Sequence, residues 1–210
     1  MLRLPTLYPI TDQERSGLRH SEQVKLLAAG GARLVQLRDK TSSPKHFHQE
    51  AMRVMAIARE FEMQVIINDR VDVALAVSAN GVHLGQDDLS PSVARGLLGN
   101  HAIIGISTHN LKQAVGALAE PVDYIALGPI FETSSKRDTA PVLGLNELRE
   151  VRRAIGDKPI VAIGGITLAN AQETLAAGAD SVAVISALYQ NPSIISDQAA
   201  HFLALSKQGL

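Results

Sequence analysis

The chain contains no cysteine and no tryptophan, and aromatic residues make up 3% of its 210 positions. The first absence excludes disulfides, cysteine nucleophiles and thiolate metal ligands. Few aromatic rings means no broad platform on which nucleic-acid bases stack. Charge of one sign is also lacking, with 20 Lys and Arg against 21 Asp and Glu. Without a generally basic surface no nucleic-acid partner is expected, and any anion must be bound by a local cluster. No apolar run reaches about eighteen residues, so no membrane span and no membrane partner are expected. The segment MLRLPTLYPITD at the start lacks the charged, apolar and small-residue regions of a signal peptide, and the expected location is cytoplasmic. No low-complexity segment or linker divides residues 1–210, which read as one domain; the 46% hydrophobic content suffices for a full core.

What is present is a series of short, β-branched apolar runs separated by segments of helical spacing. Runs at Leu7–Ile10, Leu34–Leu37, Val65–Ile67, Val82–Leu84, Ile103–Ile106, Tyr124–Leu127, Pro159–Ile163 and Ser181–Val184 read as strands. Helical patterns cover Ser21–Ala29, a long stretch from Pro44 to Glu62, Val71–Val77, Pro91 to Gly99, Leu111–Ala119, Leu145–Ile155, Ala169–Ala177 and Ser196–Ser206. Strands two, four, six and eight are each preceded by a small-or-acidic turn: GGAR, SANG, EPVD and AGAD. The other internal strands lack it, which suggests repeated pairs of βα units. Regular alternation with short connections predicts a closed (β/α)₈ TIM barrel, with an open doubly wound sheet as the alternative. The long polar loop Gly128–Gly144 interrupts the regularity and reads as a functional lid bracketed by glycines.

In a parallel barrel the residues just past each strand converge on one face. Here they are Gln36, Arg38, Lys40, Asn68, Asp69, Gln86, Asp88, Ser107, Thr133, Ser135, Lys136, Gly165, Ile185 and Ser186. Asp69 and Asp88 come from neighbouring strands, and two carboxylates at one edge suit an Mg²⁺ that also needs phosphate oxygens. The plainer reading is that each caps the helix that follows. Arg38 and Lys40 flank Asp39 and would share one side with Gln36 in extended geometry, as a phosphate grip or as a solvated charged loop. Gly164-Gly165 after the seventh strand and Ile185-Ser186 after the eighth match a barrel phosphate site, or merely a tight turn. Two anion sites at one mouth imply two phosphorylated substrates. His83, inside a strand, reads as a core histidine, and His46 and His48 as surface residues. His109 is either an acid–base group or a loop residue without a role.

The pieces YPITD at 8–12, QLRDK at 36–40, INDRVDVAL at 67–75 and GVHLGQDDL at 81–89 resemble the thiamine phosphate synthase family. GISTHN at 105–110, DYIALGPIFETSSK at 123–136, AIGGI at 162–166 and AGADSVAVISAL at 177–188 extend the resemblance over nearly the whole chain. It implies a (β/α)₈ barrel that joins a hydroxymethylpyrimidine pyrophosphate to a thiazole phosphate, releasing pyrophosphate. By position it assigns Gln36, Arg38, Lys40 and Asn68 to the pyrimidine pyrophosphate, with Ser107 and Lys136 completing that site. Asp69 and Asp88 fall to Mg²⁺, and Thr133, Ser135, Gly165, Ile185 and Ser186 to the thiazole phosphate. Arg38, Lys40, Ser107 and Lys136 are the catalytic candidates of a dissociative substitution that needs no protein nucleophile. In the loop, Glu132-Thr133-Ser134-Ser135-Lys136 departs from the family's usual P-T-x-T-K: Ser135 keeps the hydroxyl, while the proline is lost. The alternatives are a thiazole tautomerase of the same fold, which needs no pyrophosphate clamp, and a barrel that binds phosphorylated ligands without turnover. A homo-oligomer is compatible with all three.

Overall fold

Eight short runs rich in Val, Ile and Leu become eight parallel strands in the computed structural model, which describes residues 2–133 and 141–205. They are β1 (Leu7–Pro9), β2 (Leu34–Leu37), β3 (Gln64–Asn68), β4 (Gly81–Leu84), β5 (Ile103–Thr108), β6 (Tyr124–Leu127), β7 (Ile160–Ile163) and β8 (Ser181–Val184). Their order in the sheet is β1-β8-β7-β6-β5-β4-β3-β2. The first and last meet where Ile10 bridges Gln36 and the Thr11 N–H donates to the Gln36 carbonyl at 3.0 Å. That contact closes the sheet into a barrel and removes the open doubly wound alternative. Nearly every strand residue is buried, as expected when helices cover a parallel sheet and side chains fill its interior.

The helices are α1 (Gln13–Ser16), α2 (His20–Ala29), α3 (Pro44–Glu60), α4 (Val71–Ala76), α5 (Pro91–Leu98), α6 (Leu111–Gly116), α7 (Gly144–Ile155), α8 (Leu168–Ala176) and α9 (Ile195–Ala204). Local chemistry sets several of their starts. Ser43 and Ser90 each precede a proline at the first helical position, and each hydroxyl accepts a backbone N–H three residues on, at 3.3 Å. Thr167 and Asn170 form a reciprocal capping box on α8. No helix among the described residues is long and apolar enough to cross a membrane.

The turn repeat seen in the sequence has a structural cause at the amino-terminal base of the barrel. Asn80, Asp123 and Asp180 each precede an even strand. Their side chains accept the backbone N–H of Val65, Ile104 and Ile160, at 2.8, 2.8 and 2.9 Å. Their own N–H groups donate back to the carbonyls of those same residues. An arginine from the helix that precedes the odd strand of the pair, α5 or α7, locks two of these carboxylates. Arg95 reaches Asp123 at 2.7 Å and also the carbonyl oxygens of Gly99, Ala102 and Pro121. Arg152 reaches Asp180 and the carbonyl oxygens of Gly178, Gly156 and Lys158. Each clamp stitches an odd strand to the next even one, which is why the repeat has the length of two βα units.

Three readings need correction. β5 continues to Thr108, so Ser107 lies inside the strand rather than after it. Gly144 is the first residue of α7 and not part of a loop. The short α1, capped by the Asp12 carboxylate through the Arg15 N–H at 3.0 Å, is absent from the sequence reading because four residues carry no detectable period.

Candidate active site

A cavity of about 930 Å³ opens at the carboxyl ends of the strands. Its size suits small-molecule substrates. Of the expected site residues, Gln36, Arg38, Lys40, Asn68, Asp69, Asp88, Ser107 and Ile185 line it, together with Gln86. Thr133, Gly165 and Ser186 do not line it, and Ser135 and Lys136 lie outside the described residues, as does much of the loop read as a lid.

The two carboxylates are brought together by adjacent strands. Asp69 follows β3 directly, with φ at 61°, a left-handed conformation that aspartate tolerates better than most residues. Its N–H donates to the His83 carbonyl on β4 at 2.8 Å. Asp88 turns back on its own loop and accepts the Gly85 N–H at 2.7 Å. Neither caps a helix: α4 has no side-chain cap, and α5 is capped by Ser90. Burial raises the Asp69 carboxyl above the usual carboxylate range; the Lys40 ammonium, in direct contact with it, opposes that, and the neighbouring Asp88 carboxyl adds to it. Two adjacent carboxylates, one half-buried, are a fitting donor pair for a divalent cation. No group of three or more His, Asp or Glu that could hold a metal occurs among the described residues. Any metal here would therefore need oxygens from substrate or water.

The opposite rim is built by glycine. Gly164 and Gly165 have φ of 102° and 65°. A Cβ on Gly165 would lie 2.4 Å from the Glu132 carbonyl oxygen, and one on Gly164 would lie 2.6 Å from Pro129. Both glycines are thus required by the close approach of the segment leaving β6. The Phe131 N–H donates to the Gly164 carbonyl at 3.0 Å, which carries Thr133 towards the same rim. The turn explanation of these glycines therefore holds, whatever else they bind.

Sequence reasoning missed the polar chain across the barrel interior. Gln36 Nε2 lies 3.3 Å from the Tyr8 hydroxyl, which meets the Tyr124 hydroxyl at 2.7 Å. Tyr124 meets His83 Nδ1 at 2.9 Å, and His83 Nε2 meets Ser107 Oγ at 2.9 Å. One direction of donation leaves no tyrosine hydroxyl proton unpaired. In it, Gln36 donates to Tyr8, Tyr8 to Tyr124, Tyr124 to Nδ1, and Nε2–H to Ser107. The Ser107 proton is then free to point at a ligand. Burial raises both tyrosines well above their ordinary range, so they stay neutral. Gly105, paired with Tyr124 across β5 and β6, makes the room: a Cβ there would lie 2.0 Å from the tyrosine ring. His83 is a satisfied buried histidine, as expected, but it also lines the cavity. Its position in a strand between Val82 and Leu84 gave no sign of the second property. His109 lines the cavity too, with Nδ1 2.7 Å from the Gly128 carbonyl, to which it must donate.

Comparison with known proteins agrees with this geometry. The sequence profile described as thiamine monophosphate synthase matches residues 7–188. The thiamine-phosphate synthase of Methanoregula boonei is 47% identical over 191 residues, covering 90% of this chain and 88% of that protein. The thiamine-phosphate synthase of Chloroflexus aurantiacus is 45% identical over 183 residues, covering 87% and 84%. Among solved structures, thiamine phosphate pyrophosphorylase from Pyrococcus furiosus superposes with a TM-score of 0.85 at 34% identity, covering 94% of this chain and 93% of the other.

Proposed function

This chain belongs to the thiamine monophosphate synthase family, and on that premise we propose that it joins a hydroxymethylpyrimidine pyrophosphate to a thiazole phosphate, forming thiamine phosphate and pyrophosphate. The activity is that of a transferase of thiamine biosynthesis acting on small molecules; the substrates and mechanism are our reading. The observation that carries it is the convergence of Arg38, Lys40, Asn68, Asp69, Asp88 and Ser107 on one cavity. Three of these groups suit pyrophosphate oxygens directly. Arg38 offers a fork of donors, Lys40 a point charge and Ser107 a hydroxyl whose proton is available.

The pyrimidine methylene is the electrophile. Its bond to the pyrophosphate oxygen breaks, the pyrophosphate leaves with the electron pair, and the thiazole nitrogen supplies the pair of the new C–N bond. Charge grows on the departing oxygens, so donors already aimed at them favour the transition state over the bound substrate. Asp69 and Asp88 would hold Mg²⁺, which when bound supplies further neutralisation of the pyrophosphate. Lys136 would add a cation from the loop after β6. Thr133, Ser135, Gly165, Ile185 and Ser186 would hold the thiazole phosphate on the opposite rim, where backbone N–H groups near the glycines suit an anion. Holding both substrates at one barrel mouth converts the capture step into an intramolecular one.

Separate Michaelis constants test the two-site arrangement. Arg38→Ala is expected to raise the constant for the pyrimidine pyrophosphate by about tenfold or more, with that for thiazole phosphate nearly unchanged. Ser186→Ala is expected to do the reverse. A uniform rise for both substrates in both variants would contradict the assignment.

A further inference from the structure

His20 and Asp39 form a buried contact that the proposed chemistry does not use. His20 is the first residue of α2, and its side chain is 1% exposed. Asp39 stands between Arg38 and Lys40, and its side chain is 4% exposed, although it and His20 belong to the wall of the same cavity as those two cations. Charged side chains are rarely this buried without a structural partner. One Asp39 oxygen, Oδ1, accepts the backbone N–H groups of Thr41 and Ser42 at 3.0 and 2.8 Å, folding the loop after β2 into a tight turn. The other, Oδ2, faces His20 Nε2 at 3.4 Å, a charge–ring contact and not a formed hydrogen bond; both ring nitrogens are buried without a hydrogen-bond partner among the described residues, so Asp39 is the group nearest to satisfying Nε2.

The helix start that carries the ring is firmly held. Glu50 of α3 accepts the Ser21 N–H at 2.8 Å and pairs with Arg53 at 2.9 Å, which fixes the start of α2 against α3. At the same helical turn the Glu22 carboxylate accepts both the Arg19 backbone N–H and its guanidinium, each at 2.9 Å. On the far side of Asp39, the Arg38 N–H donates to Thr11 Oγ1 at 3.2 Å. The loop is therefore pinned before Asp39 by Thr11, just past β1, and after Asp39 by its own carboxylate, while Asp39 itself packs against His20.

We propose that His20 is a positioning residue for the pyrophosphate grip: through Asp39 it sets the loop so that the Arg38 and Lys40 side chains both reach the cavity. This rests on the reading that Arg38 and Lys40 bind the pyrophosphate of the first substrate. A charged pair on an exposed loop would sample many conformations and lose binding energy to ordering. Anchoring the intervening residue in the protein interior restricts both cations at once.

The test compares His20→Leu, which removes the contact, with His20→Gln, which keeps a donor of similar reach. The readouts are both Michaelis constants and the inhibition constant of inorganic pyrophosphate. For His20→Leu the constants for pyrimidine pyrophosphate and inorganic pyrophosphate are expected to rise about tenfold, while that for thiazole phosphate stays within about twofold. His20→Gln is expected to recover most of the loss. Equal rises for both substrates, or no change in the pyrophosphate constant, would overturn the proposal. Should His20→Leu fail to fold, Asp39→Asn decides. It keeps the oxygen that accepts from Thr41 and Ser42 but loses the charge facing His20. The same selective loss supports the proposal, and an unchanged inhibition constant overturns it. Failure of the underlying reading is separable, because Arg38→Ala would then leave the constants for pyrimidine pyrophosphate and inorganic pyrophosphate unchanged.

Discussion

The barrel carries acidic side chains at both ends, and they are treated in opposite ways. At the amino-terminal base, Asp123 and Asp180 each accept a backbone N–H and an arginine, and each ties one strand to the next. At the carboxyl-terminal mouth, Asp69 and Asp88 sit side by side and cap no helix, and burial and mutual proximity raise Asp69 out of the usual carboxylate range. The base uses its carboxylates to complete hydrogen bonds that the fold would otherwise leave open. The mouth keeps two of them close together at some cost to stability, an arrangement that becomes useful only when a cation and a phosphorylated ligand arrive. The same residue type thus serves architecture at one end and, on our reading, chemistry at the other.

The comparison breaks most sharply at the mouth. Asp69→Asn and Asp88→Asn are each expected to lower turnover by about 10²–10³-fold, the range found when one transition-state stabilising group is removed. Their melting temperatures should be no lower than the parent's, because one of two crowded charges is gone and the exposed Lys40 loses little. Calorimetry beside steady-state kinetics checks this, and normal turnover in either variant contradicts the metal assignment.

At the base the pattern should invert. Asp180→Ala leaves the Ile160 N–H and the Arg152 guanidinium without their acceptor. The expected cost is about 2–3 kcal/mol, or a fall of about 4–12 °C in melting temperature for a chain of this size. Turnover per folded molecule should be nearly unchanged. A large loss of activity at unchanged stability would show that base and mouth are not separate in function.

Tyr124→Phe probes the polar chain between the two ends. It leaves the buried Tyr8 hydroxyl and His83 Nδ1 each short of a partner, at an expected cost of about 1–3 kcal/mol. It also frees the His83 ring to adopt either tautomer, so the Ser107 hydroxyl loses its set direction. Stability and turnover should both fall, the latter by less than in Asp69→Asn. A fall in stability alone would separate the chain from the site.

The smallest expected effect is the pH response of His20. Burial lowers its proton affinity, against Asp39, Glu50 and Asp12, which raise it. As pH falls through the ordinary histidine value of about 6.5, the unfolded chain takes the proton before the folded one. The parent therefore loses stability on acidification through that range, down to the lower folded-state value. His20→Gln lacks this loss, so its melting temperature should fall less between neutral and mildly acidic pH. Parallel curves for the two proteins would contradict it.

The strands were legible because each is a short β-branched run bounded by turn residues, and eight such runs alternating with helices admit few architectures. Much of the mouth was legible for a related reason. In a parallel barrel, position just after a strand predicts convergence, and nine of the fourteen residues so placed, Gln86 among them, do line the cavity. The polar chain was not legible, because Tyr8 and Tyr124 are 116 residues apart and Tyr124 and His83 are 41 apart. Only barrel closure makes them neighbours. The same holds for His20 and Asp39, which come from different βα units. The role of Gly105 could not be read either, since a glycine in a strand does not announce whose ring it accommodates. Gly165 offered two explanations in the sequence, and the structure accounts for it by close packing against Phe131 and Glu132.

The most direct test of the central claim, that the mouth of this barrel joins two phosphorylated substrates, is product analysis. The purified parent protein is incubated with hydroxymethylpyrimidine pyrophosphate, thiazole phosphate and Mg²⁺, and thiamine phosphate and pyrophosphate are quantified together. The two products are expected in equal amounts, both formed far more slowly by Asp69→Asn and both retained in Asp180→Ala. Pyrophosphate released without thiamine phosphate, or no turnover of either substrate by the folded parent protein, would contradict it.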